Sequence, residues 1–329
     1  MKNYIGGILL VSISFLACGN DTKSIIADED ALMPEVPSVI KGWEACDDFG
    51  KLPNHLFVYK SPAQLLNKNI NAYIVVADMN RGARFNVIGE KSGLFTPAAY
   101  YEKNESPSVI MNGGYFAASG SLSLICRNNE VICGNIQNVT RSNGSSNVPF
   151  YPTRSVFAYK GNGKYAAEWI YSVNETIYSY PRPAANKSGQ LPLAQPSKTF
   201  PAGASAWSAQ EAIGGGPVLL KGGAIMNTWE AELFDATSGI GPTGNNPRSA
   251  VGITQNNHLI FFVCEGRNMT PNVLGLTLQE VAQILKDLGC VDALNLDGGG
   301  STCMLINGKQ TILPSDGKQR AVSGCVTLN

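Results

Sequence analysis

The sequence predicts an α+β fold of mixed or antiparallel sheets with few helices, gathered in one compact domain. Three observations lead there. Short apolar runs recur between glycine and asparagine turns, the pattern of strands and hairpins. Only one later segment carries a clear helical period. The chain also holds 35 glycines and 18 prolines in 329 residues, above their usual combined share of about 12%. Basic and acidic residues balance at 25 each. That leaves no basic footprint, so nucleic acid is excluded as a partner.

The first segment reads as an address. Lys2 precedes an apolar run from Tyr4 to Ala17, too short for a stable anchor, which needs about 20 residues. Residues 1–17 fit a lipoprotein signal peptide. The run ends Phe15-Leu16-Ala17-Cys18, similar to a bacterial lipobox in which Cys18 takes the lipid. Residues 18–37 are polar and acidic with Pro34 and Pro37, an acidic tether. The expected location is therefore exported and lipid-anchored in the bacterial cell envelope, with the membrane as a partner through the lipid. Residues 38–103 are expected to complete the fold of the domain at 104–329.

Strands follow in order. Asn71 to Asp78, Ser108 to Met111 and Ser155 to Tyr159 are apolar runs bounded by turn formers. Pro181 to Ala206 reads as a long loop. Three hairpins are marked: Val218–Leu220 with Ala224–Met226 around Gly222-Gly223, Ala250–Thr254 with Leu259–Cys264 around Asn256-Asn257, and Met304–Ile306 with Gln310–Leu313 around Asn307-Gly308. Asn-Gly is a strong two-residue hairpin signal because both residues tolerate positive φ. The helix begins at Thr277, which forms a capping box with Glu280. Leu278, Val281, Ala282, Leu285 and Leu288 supply its apolar face, and Gly289 stops it. A strand from Val291 to Leu296 follows at once.

Cys126 and Cys133 flank a predicted turn, so they pair across a hairpin as a disulfide or remain two buried thiols. No Cys-x-x-Cys spacing occurs, and the two histidines, His55 and His258, sit in ordinary strand or loop contexts. Neither a zinc ribbon nor a Ser-His-Asp triad is favoured.

Four glycine-punctuated clusters carry the candidate chemistry. In Asn112-Gly113-Gly114-Tyr115-Phe116 a strand ends and the backbone can turn sharply toward a ligand. In Gly214-Gly215-Gly216-Pro217 successive N–H groups can cradle an anion. In Asn246-Pro247-Arg248-Ser249 the guanidinium of Arg248 suits phosphate or carboxylate. Arg248 and Arg267, the latter within Glu265-Gly266-Arg267, lie at the open end of one predicted hairpin. The fourth cluster is Asn295-Leu296-Asp297-Gly298-Gly299-Gly300-Ser301-Thr302. A buried strand there delivers Asp297 beside a glycine run that leaves room for substrate, and such an acid can act as base, nucleophile or metal ligand.

NGGYF, GGGP, PRSAVGI and LTLQEVAQILKDLGCVDALNLDGGGSTCM occur in that order. Together they resemble the phosphodiester glycosidase family over roughly Asn104 to Leu328. That family includes the lysosomal enzyme that removes N-acetylglucosamine from mannose 6-phosphate tags. The resemblance leads one to expect Asp-Gly-Arg where this chain has Glu265-Gly266-Arg267, an acid one methylene longer.

The resemblance implies hydrolysis of the bond between a sugar C1 and a phosphodiester oxygen, on a cell-envelope carbohydrate. Read with these residues, Asp297 takes the role of base or nucleophile and Arg248 the phosphate grip, helped by Asn112 and the amides of Gly215 and Gly216, while Gly113, Arg267, Gly298, Gly299 and Ser301 join the substrate-binding set. Glu265 is a second carboxylate, acting as acid/base or holding a divalent cation. Ser301 orients Asp297. The sequence specifies no cofactor, and a divalent cation stays open. Two alternatives stay beside this reading: another polysaccharide hydrolase of the same fold, and a surface glycan-binding lipoprotein using Trp207 and Trp229.

Overall fold

The computed structural model describes Met1, residues 40–226 and residues 228–329. The chain divides into two units, Met1–Pro34 and Glu35–Asn329, and the fold below is that of the second. The signal, Cys18 and the tether lie outside the described residues, Met1 excepted.

Three antiparallel sheets carry the architecture. The largest has eight strands, in the order Glu44–Ala45, Leu56–Lys60, Ala72–Asp78, His258–Cys264, Arg248–Thr254, Cys290–Asn295, Val218–Lys221 and Ala224–Ile225. A seven-stranded sheet runs from Glu130–Cys133 through Ile125–Arg127, Glu211–Gly215, Arg154–Tyr159, Tyr165–Val173 and Thr176–Tyr180 to Ser205–Ala206. A five-stranded sheet joins Lys309–Gln310, Met304–Ile306, Val109–Asn112, Gly324–Leu328 and Phe85–Gly89. Thus the region before residue 104 supplies strands to two of the sheets.

The eight-stranded sheet is buried on both faces, and the period of two along each strand sorts its side chains. Val75, Phe261, Val263, Val251 and Leu294 point into the central core, where they meet Phe85, Phe157, Trp169 and Ile213 from the other two sheets. Ile74, Val76, Ile260, Phe262 and Ala293 point the other way, onto Val281, Ala282 and Leu285 of the helix Leu278–Asp287. The capping box of that helix forms in both directions between Thr277 and Glu280, and Gly289 takes φ +86° to end it.

The α+β expectation is too helical. Among the described residues there are two α-helices, Pro97–Lys103 and Leu278–Asp287. The fold is largely β, because the sheets cover most of one another's apolar faces. The predicted hairpin turns appear, with positive φ at Gly222, Gly223, Asn257, Asn307 and Gly308. Cys126 and Cys133 are free thiols. A register shift in their hairpin sets Cys126 opposite Val131 and Cys133 opposite Ile125, so the two are not cross-strand partners. His258 is buried at 3.9 Å from Asp78, at one end of the pairing between two interior strands of the large sheet.

Candidate active site

Asp297 sits where the strand Cys290–Asn295 leaves the large sheet. Its main chain is pinned from both sides: Asp297 N donates to Gly113 O at 3.0 Å, and Asn112 Nδ2 donates to Asp297 O at 2.7 Å. The chain then turns through a 3₁₀ element at Gly299–Ser301, with Gly299 N donating to Pro247 O. Two glycines here are dictated by the backbone. Gly299 takes φ +59°, and a Cβ on Gly298 would come within 2.7 Å of Pro247 O.

A cavity of about 460 Å³ opens against this turn. Asp297, Gly298, Gly299 and Gly300 line it together with Arg248, Arg267 and Arg320. Tyr115, Gly215, Phe234, Arg141 and Arg154 also line it. Asp297 is the only carboxylate among the lining residues, against five arginines. The cavity is therefore built for an anion, and its volume suits a small ligand.

Burial is the largest influence on the Asp297 carboxyl and pushes its pKa up to about 6, against the hydrogen bond from Ser301, the charge of Arg320 and the Gly298 N–H. A carboxyl near 6 is mostly ionised at neutral pH yet close enough to exchange its proton. The Gly298 N–H reaches Asp297 Oδ1 at 2.9 Å and fixes one of its oxygens.

Arg248 is almost fully buried. Its Nε donates to Leu276 O, one terminal nitrogen donates to Ile240 O, and the other donates to Gly241 O and Gly244 O. Four of its five N–H groups are thus spent on main-chain carbonyls. It holds the loop over the cavity instead of presenting a free fork to phosphate. Arg267 and Arg320 are exposed. Arg267 donates to Ser315 Oγ at 3.3 Å, and Arg320 pairs with Asp316 and reaches Ser301 Oγ at 3.4 Å.

Six of the expected residues meet in the cavity: Gly215, Arg248, Arg267, Asp297, Gly298 and Gly299. Asn112, Gly113, Gly216, Glu265 and Ser301 stand outside its lining. Asn112 accepts from Ser249 Oγ and Cys303 N, so its side chain is a fully bonded joint. The Gly113 and Gly216 N–H groups are already given to Gly324 O and Asn295 O, which leaves neither free to hold an anion. Glu265 turns away: its Oε1 accepts from Leu313 N at 2.8 Å, and its Oε2 is buried without a partner among the described residues. Among the described residues no group of three His, Cys, Asp or Glu side chains is gathered around it for a cation. Trp207 is buried with Nε1 on Glu168, and neither it nor Trp229 lines the cavity.

Tyr115, Arg154, Phe234 and Arg320 complete the site without having been singled out one by one. Tyr115 stood inside the NGGYF motif. Arg154 and Arg320 carry no local signal, since each reaches the cavity only through the fold.

The family model described as phosphodiester glycosidase matches residues 106–328. The chain belongs to the phosphodiester glycosidase family. Among curated relatives in this family, the N-acetylglucosamine-1-phosphodiester alpha-N-acetylglucosaminidase of Mus musculus is 41% identical over 69 residues, 21% of this chain and 13% of that protein. Its Homo sapiens counterpart is 32% identical over 104 residues, 30% of this chain and 20% of that protein. This phosphodiester glycosidase chain therefore aligns with only a minor part of those proteins' length. The solved catalytic domain of the zebrafish enzyme of the same name superposes with a TM-score of 0.54 at 18% identity, covering 90% of this chain and 86% of that one. At that identity the likeness speaks for the phosphodiester glycosidase fold alone.

Proposed function

We propose that the protein hydrolyses the C1–O bond of a sugar phosphodiester, releasing a free sugar and a phosphomonoester. The observation that carries this is a single ionisable acid, Asp297, in one cavity with the exposed guanidinium groups of Arg267 and Arg320. Those two arginines grip the phosphate. They stabilise the negative charge that grows on the leaving phosphomonoester as C1–O breaks. Asp297 meets the positive charge at C1, either by attacking it or by taking a proton from the water that does. Water supplies hydroxyl to C1, and its proton leaves on the site acid or the phosphate. A phosphomonoester departs as an anion, so a second carboxylic acid is not essential, consistent with Glu265 lying outside the cavity.

Arg248 shapes the wall, and Asn112 with Ser301 positions Asp297. The test is turnover by the full chain of a sugar phosphodiester, or of UDP-N-acetylglucosamine as a glycosyl diphosphate analogue that would release UDP. Asp297→Asn should lower kcat by roughly a hundredfold or more, and unchanged turnover would refute the assignment.

We further propose that the domain acts outside the cytoplasm, held to the cell envelope by lipid on Cys18. The small residue before Cys18 and the acidic stretch at 18–37 support this. Cys18→Ala should release the protein from membranes, and continued membrane retention would argue against the anchor.

A further inference from the structure

Arg154 lines the same cavity, and nothing in the reaction above uses it. It opens the strand Arg154–Tyr159 and is 6% exposed. Its guanidinium carbon lies 4.0 Å from the centre of the Phe234 ring, and its Nε is buried with no hydrogen-bond partner among the described residues. Burial lowers its pKa to about 10, so it stays a cation at neutral pH. Its charge is met by the Phe234 ring and by the charges of Glu232 and Asp235, but its buried Nε–H has no acceptor among the described residues, and such a donor calls for one.

The two acids that face it are committed elsewhere. Glu232 receives hydrogen bonds from Ser155 Oγ, Trp169 Nε1, Thr228 Oγ1 and Val218 N. Asp235 is held by Arg141 Nε at 2.8 Å.

Geometry separates the arginines. Arg267 and Arg320 lie against Gly299 and Gly300 in the turn that follows Asp297. Arg154 lies on the Phe234 ring, which packs 5.4 Å from the Tyr115 ring. Asp297 shares its stretch of the cavity lining with the first pair, and Arg154 shares another with the two aromatic rings. With the phosphate on the first pair and the breaking bond at Asp297, the group reaching Arg154 belongs to the sugar.

We propose that Arg154 binds a carboxylate carried by that sugar, so that the substrate is the phosphodiester of an acidic sugar, a uronic acid, in preference to that of a neutral hexose. This rests on the phosphodiester reading. A single planar fork matches one carboxylate bidentately.

The test is calorimetric titration of the full chain with glucuronic acid 1-phosphate and with glucose 1-phosphate. The acidic ligand should bind at least about tenfold tighter. Arg154→Met should collapse that ratio to roughly twofold or less, and Arg154→Lys should keep part of it. Equal binding of the two ligands by the unaltered chain, or an undiminished ratio in Arg154→Met, overturns the proposal. The comparison in the unaltered chain decides the matter even if Arg154→Met fails to fold. Failure of both ligands to bind, like equal binding, overturns this proposal, whereas the phosphodiester reading stands or falls on turnover of a diester.

Discussion

Asn112 holds Asp297 by the backbone, through a 2.7 Å hydrogen bond from its Nδ2 to the Asp297 carbonyl. The two residues lie 185 positions apart and belong to different sheets, so this bond ties the end of one sheet to the acid on another. Asn112→Ala should fold with a stability loss of roughly 2–4 kcal/mol, since several buried partners lose their bonds. Activity should fall mainly in kcat, with KM little changed, because the variant misplaces the acid without touching substrate. Steady-state kinetics beside thermal melting checks both.

The pH profile follows from the Asp297 carboxyl near 6. As base or nucleophile it must be ionised, so kcat/KM should rise with pH through about 6 and level off above. The charge of Arg320 lowers this pKa. Arg320→Met should therefore move the rising limb to higher pH while reducing the plateau. A limb that stays in place would detach Arg320 from Asp297.

Stability should show the same acid with opposite consequence. Folding raises the Asp297 pKa from its ordinary 3.8 to about 6. The protonated form is favoured in the fold, so stability is greatest below the lower value and declines as pH rises through the higher one. Asp297→Asn should be more stable than the parent at pH 7, on the order of 1–2 kcal/mol for a carboxyl that keeps some access to solvent. The gain should vanish in acid. Melting curves across pH measure it.

Arg248→Ala should act on the loop. Four hydrogen bonds to the carbonyls of Ile240, Gly241, Gly244 and Leu276 disappear together. The loss should reach roughly 2–4 kcal/mol. Limited proteolysis should then cut near residues 239–246, where the parent resists.

Much of this fold was written locally. Asn307-Gly308, the Thr277–Glu280 box and Gly289 each specify a backbone shape from neighbouring residues alone, and each appears. Asp297 was legible for the same reason, a strand followed by glycines that leave no side chain in the way. Arg248 shows the limit. Its sequence position announced a guanidinium, but the carbonyls that consume it come from a loop folded over it and from Leu276. Glu265 likewise reads as a second carboxylate in the sequence, but Leu313 N, far along the chain, claims it. Arg154 owes its place to the pairing of its strand with Glu211–Gly215, a contact no nearby residue signals. The excess of sheet over helix was hidden too, because an apolar face does not reveal whether a helix or another sheet will cover it.

The central claim is that Asp297 serves cleavage at carbon, not at phosphorus. Hydrolysis of a sugar phosphodiester by the full chain in ¹⁸O-labelled water, followed by mass spectrometry of both products, tests it most directly. The account predicts label in the released sugar, none in the phosphomonoester, and near-complete loss of both products in Asp297→Asn. Label in the phosphomonoester, or undiminished turnover in Asp297→Asn, would contradict it.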